Sequence, residues 1–186
     1  MSDGQVVFLN GAPSVGKSST ARALQELLPE PHYYLGLDEY RRGYLDTVWL
    51  ADDGALFRRM IGPFLLNLAT LAHAGHHVIA ESMVTADTEG LYVESFHDVP
   101  VVFVGLDCRL NVAKAREANR GDRRRGPVDL AHPGLQTIHD HGYYDLRINT
   151  SELTPREVAN RIIPVLADPP QPSAFERLRN RAQLGT

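Results

Sequence analysis

The stretch from Val6 to Ser19, VVFLNGAPSVGKSS, constrains this chain more than any other. Its apolar, β-branched start reads as a buried strand. Gly11-Ala12-Pro13-Ser14-Val15-Gly16-Lys17-Ser18 then follows the spacing G-x-x-x-x-G-K-[ST]. Behind it Ala21, Leu24, Leu27 and Leu28 recur at helical spacing until Pro29 stops the run. Such a loop turns its backbone N–H groups inward around a phosphate, with Gly11 and Gly16 supplying the bends. The helix that begins near Lys17 adds its unpaired N–H groups and the positive end of its dipole. Lys17 then reaches the β- and γ-phosphates, the Ser18 hydroxyl ligates Mg²⁺, and Ser19 lies alongside, so the expected ligand is a nucleoside triphosphate. No Asn-Lys-x-Asp guanine reader is present, which favours ATP, and 186 residues suit a small kinase better than a motor.

Further strands are expected at HVIAE from His77, VVFVGL from Val101 and YYDLRIN from Tyr143, with a weaker one, HYYLGLD from His32, interrupted by Gly36. Helical stripes lie between them. In GPFLLNLATLAHAG the apolar positions Phe64, Leu65, Leu68, Leu71 and Ala72 share a face, with Pro63 fitting a first turn and Gly75 a C-terminal stop. TPREVANRIIPVL carries a capping box of Thr154, Pro155 and Glu157. This alternation predicts an α/β fold of three layers, a five-stranded parallel sheet with helices on both faces. Residues 1–168 are expected to form one domain. The remaining 169–186 open with prolines and end in a short amphipathic helix pattern, read as a packing arm, a partner contact or loose chain.

Composition narrows the function. A net charge of −4 and a pI near 6.0 argue against a nucleic-acid partner or an anionic membrane surface. Single Cys108 makes no internal disulfide, the N-terminus lacks a signal-peptide pattern, and a cytoplasmic location is the simplest expectation. A homo-oligomer is compatible with all of this.

Three acidic and basic groups accompany the loop. Asp38 follows the second strand in LGLDEYRR, at the sheet end that faces the loop, where it either orients a substrate hydroxyl and takes its proton or only caps a helix beginning at Glu39; Glu39 competes for the role of base. Glu81 ends the third strand in HVIAES, with Ser82 beside it. The pair Asp38 and Glu81 divides the duties of base and metal helper in either order. AREANRGDRRRGP gathers Arg116, Arg120, Arg123, Arg124 and Arg125, and is expected to form a phosphate-contacting lid at about residues 116–127. Thr150, in NTSELTP, and Arg109 are candidates for holding the nucleotide base. His139 and His141 either approach the nucleotide or cover the sheet.

The ordered set LNGAPSVGKSS, LQELLPEPHYYLGLDEY, IGPFL, AHAGHHVIAES, ANRGDR and HGYYDLRINTS resembles the chloramphenicol phosphotransferase family, over about residues 5–166. The resemblance implies a P-loop kinase fold, Mg-ATP, a small-molecule hydroxyl acceptor such as an antibiotic, a catalytic aspartate at Asp38, and phosphate contacts from Lys17, Ser18, Arg120 and Arg123. Where the family commonly has an aspartate this chain has Glu81, and the segment EYRRGYLDTVWLADDGALFRRM does not follow the family. Tyr40, Arg41 and Phe57 are candidates for contacting the acceptor, together with Asp38, Glu81 and Ser82. Tyr44, Trp49, Met60 and Phe64 either enclose an apolar acceptor or belong to the core. Two other classes remain open at this point, a metabolic kinase of a sugar, acid or nucleoside and a nucleotide-binding switch without an acceptor.

Overall fold

The computed structural model describes residues 3–44, 55–119, 135 and 137–184. The chain begins β1 (Val6–Asn10), α1 (Lys17–Leu27), β2 (His32–Gly36), α2 (Leu37–Tyr40) and a 3₁₀ turn at Arg41–Gly43. It continues α3 (Ala55–His73), β3 (His77–Ser82), α4 (Glu89–Ser95), β4 (Val101–Asp107) and α5 (Leu110–Ala118). Last come β5 (Leu146–Asn149), α6 (Pro155–Ala167) and α7 (Ala174–Leu184). The strands pair in parallel in the order β2-β3-β1-β4-β5.

Alternation along β1 divides the core. Val6 and Phe8 face one way, into a cluster with Phe64, Leu65 and Leu68 of α3, Tyr92 of α4 and Phe175 of α7. Val7 and Leu9 face the other, against Ala21 and Leu24 of α1 and Val158 and Ile162 of α6. All five β1 residues are buried, which is why Val6 to Leu9 read as an apolar run without alternation and Asn10 stands out at its end. The chain lays β2 and β3 on one side of β1 and β4 and β5 on the other. A crevice therefore opens at the carboxyl ends of the central strands, where α/β sheets of this kind bind ligands.

Three local expectations change. Pro63 does not open its helix but lies inside α3, which starts at Ala55. Met60 and Ile61, 4% and 3% exposed, extend the apolar stripe upstream, and their burial outweighs the hydrogen bond that the proline removes. Strand β5 starts at Leu146 rather than Tyr143. Tyr144 instead lies flat against Gly105, where a Cβ would come within 2.7 Å of its ring, and Asp145 turns its carboxylate onto the Phe103 N–H at 2.8 Å. The third narrows the alternatives left open for the C-terminal segment: Ala174, Phe175 and Leu178 are 0%, 2% and 3% exposed, so α7 is a packed arm and not loose chain. The Thr154 capping box forms as expected. Among the described residues, no helix is long and apolar enough to cross a membrane.

Candidate active site

The loop between β1 and α1 is shaped by its two glycines for different reasons. At Gly11 the constraint is space, since a Cβ would sit 2.3 Å from the Leu106 carbonyl oxygen. At Gly16 it is conformation: φ is 104°, in open surroundings. Gly16 is also the N-cap of α1 and brings no side-chain cap hydrogen bond to its first turn. Ser14 adopts φ 63°, unusual for a residue with a Cβ, and its hydroxyl donates to the buried carboxylate of Glu117 on α5. Lys17 folds back over the loop and donates to the carbonyls of Gly11 at 2.7 Å and Ala12 at 3.0 Å.

Beside the loop lies a cleft of about 790 Å³. Pro13, Ser14, Val15, Gly16, Lys17, Ser18 and Ser19 line it from the loop side, with Asp38, Arg41, Glu81, Ser82, Arg116 and Thr150 around them. Candidates drawn from five separate stretches of sequence thus meet in one place. Asp38 is the second residue of α2, 61% exposed, and pairs with Arg41 at 3.2 Å. It is not a helix cap, because α2 starts at Leu37 and its N-cap is Gly36.

Glu81 has the opposite environment. It is 5% exposed and accepts from the Ser18 hydroxyl and the Tyr34 hydroxyl, both at 2.7 Å and both on Oε1. Its Oε2 is buried and meets no hydrogen-bond donor among the described residues. A carboxylate oxygen left without a partner in the interior, next to a hydroxyl oxygen, is the kind of hard donor set that suits a divalent cation such as Mg²⁺. Ser82, 4% exposed, pairs its hydroxyl with Tyr92 at 2.8 Å, and burial pushes the Tyr92 phenol up to about 12.

The other side of the cleft is tied down by Arg116. Its guanidinium donates to the Thr150 hydroxyl at 3.0 Å, the Thr150 carbonyl at 2.7 Å and the Val15 carbonyl at 3.4 Å, and the Thr150 hydroxyl donates to Val15 at 2.7 Å. Arg109 turns outward onto Glu152 at 2.7 Å. Tyr40 packs its ring against Phe64 at 5.5 Å and is not brought to the cleft lining, while Met60 and Phe64 are core. Arg120, Arg123, Arg124, Arg125 and Trp49 lie outside the described residues, as does residues 120–127 of the expected lid; of Phe57 only the backbone position on α3 is described.

Sequence reasoning missed the supports. Asn10, fully buried at the root of the loop, donates from Nδ2 to the carbonyls of Val84 at 3.1 Å and Ile138 at 3.2 Å and accepts from the Val84 N–H at 2.7 Å. The Tyr144 hydroxyl joins it at 2.7 Å and in turn meets His139 at 2.6 Å and His141 at 3.0 Å. A polar residue inside an otherwise apolar strand was the available signal. Both histidines therefore join a buried network behind the loop.

Fold and site together define a P-loop kinase, an enzyme that moves a phosphoryl group. The sequence matches the family described as chloramphenicol phosphotransferase-like protein over residues 4–167, and the chain belongs to that family. It is 28% identical over 212 residues to proteins of two Mycobacterium tuberculosis strains, CDC 1551 / Oshkosh and ATCC 25618 / H37Rv, that carry the name "Putative O-phosphotransferase"; the match covers 97% of this chain and 90% of theirs. In fold it is similar to the Mycobacterium tuberculosis APS kinase in complex with AMPPNP and APS, with a TM-score of 0.65 and 21% identity over 90% of this chain and 100% of that one. It is also similar to the shikimate kinase of Acinetobacter baumannii in complex with shikimate, with a TM-score of 0.64 and 19% identity over 87% and 92%.

Proposed function

We propose that the protein transfers the γ-phosphoryl group of ATP to a hydroxyl of a small molecule, with Asp38 as the base. The observation that carries this reading is the shared cleft: Asp38 lines the same space as Lys17, Ser18 and the start of α1. The acceptor oxygen attacks the γ-phosphorus, the bond from that phosphorus to the bridging oxygen breaks, ADP leaves, and the hydroxyl proton passes to the Asp38 carboxylate. Phosphoryl transfer through a loose transition state asks mainly that the nucleophile be oriented, so a weakly basic, solvent-reached aspartate suffices.

Lys17 exchanges its carbonyl partners for phosphate oxygens, a charge-assisted bond replacing neutral ones. Ser18 and Glu81 are the residues that would hold Mg²⁺, which when bound neutralises charge on the phosphates. Arg116 and Thr150 fix the wall of the nucleotide end, and Arg120 and Arg123 are proposed as phosphate contacts.

For the acceptor we propose a hydroxylated antibiotic-like natural product, of the kind for which the family is named. A second reading, an acceptor with an anionic group, is favoured by Arg41, whose guanidinium lines the cleft 3.2 Å from Asp38. The test is a mass-spectrometric screen with Mg-ATP against two panels, hydroxylated antibiotics and hydroxylated metabolites that carry carboxylate or phosphate. A phosphorylated product in the first panel supports the first reading and in the second panel the other. Phosphate on neither, with a partner protein retained only when ATP is present, would replace both with a nucleotide switch.

A further inference from the structure

We infer that Tyr34 is a positioning residue for the Glu81 carboxylate and, through it, for the divalent cation; this rests on the proposed assignment of Glu81 to that cation. Tyr34 lies on β2, away from the loop, and its ring packs with the α1 side of the core. Its hydroxyl reaches across to β3 and donates to Glu81 Oε1 at 2.7 Å. Ser18 donates to the same oxygen at the same distance, so Oε1 is held from two elements, and the carboxylate plane is fixed with Oε2 as the only oxygen left to a ligand.

The two donors are not equivalent. Ser18 is assigned a duty toward the cation, whereas Tyr34 does not line the cleft. A carboxylate that ligates a metal needs such an outer partner to hold its orientation. The phenol donates through its single O–H. It has one proton to give and two takers, since Glu39 Oε2 lies at 3.3 Å, and the shorter contact goes to Glu81. Gly36 keeps this arrangement possible: a Cβ there would come within 2.4 Å of Glu39 Oε2 and 2.9 Å of Glu81 Cγ and Oε1.

The test is calorimetric titration of a non-hydrolysable ATP analogue into wild type, Tyr34→Phe and Glu81→Gln, each with and without Mg²⁺. Tyr34→Phe keeps the ring and removes only the hydroxyl. We expect its Mg²⁺-free affinity to stay within about twofold of wild type, and the Mg²⁺ concentration needed for half of the cation-dependent gain to rise about tenfold. Glu81→Gln should lose most of that gain. An unchanged Mg²⁺ dependence in Tyr34→Phe beside a loss in Glu81→Gln overturns the inference and leaves the cation assignment standing. Equal loss of Mg²⁺-free affinity in Tyr34→Phe overturns it too, by making Tyr34 merely structural. Unchanged behaviour in both variants removes the assignment of Glu81 itself.

Discussion

Asp38 and Glu81 show how one cleft keeps two carboxylates in different surroundings. Asp38 is exposed and paired with the Arg41 guanidinium; Glu81 is enclosed and pinned by hydroxyls. Lys17 is the third charged group, and its two carbonyl contacts are local and exchangeable. Lys17→Ala is therefore expected to weaken ATP binding at least tenfold and to abolish detectable transfer, checked by calorimetry and product formation; tight ATP retention would contradict the phosphate cradle. Buried polar residues make a separate prediction. Burial, then the nearby His139, Arg181 and Arg147, lower His141 to about 4, with Asp140 opposing. The unfolded chain takes up that proton near pH 6.5 and the folded one does not, so stability contributed by neutral His141 is full above pH 6.5 and declines as pH falls toward 4. The slope stays below the one-proton limit of about 1.4 kcal/mol per pH unit. Thermal melts from pH 7.5 to 5 should show a falling Tm, and a flat profile would contradict the burial of the neutral ring.

At the scale of elements, α7 does more than its position at the chain end suggests. Phe175 meets Phe103 at 5.0 Å and Phe96 at 6.1 Å, and Phe8 of β1 touches both of those rings. Arg177 and Arg181 donate to the carbonyls of Tyr144 at 2.8 Å and His141 at 2.9 Å, so the helix holds the turn whose Tyr144 meets Asn10. Phe175→Ala should cost about 3–5 kcal/mol, a loss of roughly 10 °C in Tm by calorimetry; a change within 2 °C would mean that α7 is dispensable. The sequence carried clear signals for some elements and left this packing open. The phosphate loop and the Thr154 cap were legible because each depends on neighbours a few residues away, and the place of Asp38 in the cleft because it follows a strand of a parallel sheet. Pro63 inside α3, the late start of β5 and the buried face of α7 were not, because each is decided by contacts from distant segments that outweigh local preference. Tyr34 and Asn10 were missed for the same reason: a hydroxyl or amide in a strand reveals its partner only when the sheet is assembled.

For the whole molecule, strand order matters most. Placing β1 between β3 and β4 sets the phosphate loop beside Glu81 at the end of β3, with Asp38 just past β2. Residues separated by dozens of positions therefore converge on one cleft. We propose that this convergence is catalytic, with Asp38 acting on the acceptor and not on the nucleotide. The measurement that tests it most directly, once the screen supplies an acceptor, is kcat alongside the Kd for ATP in wild type and Asp38→Asn. We expect kcat to fall about 10²–10⁴-fold with the ATP Kd unchanged within about twofold. Turnover equal to wild type in Asp38→Asn would contradict it.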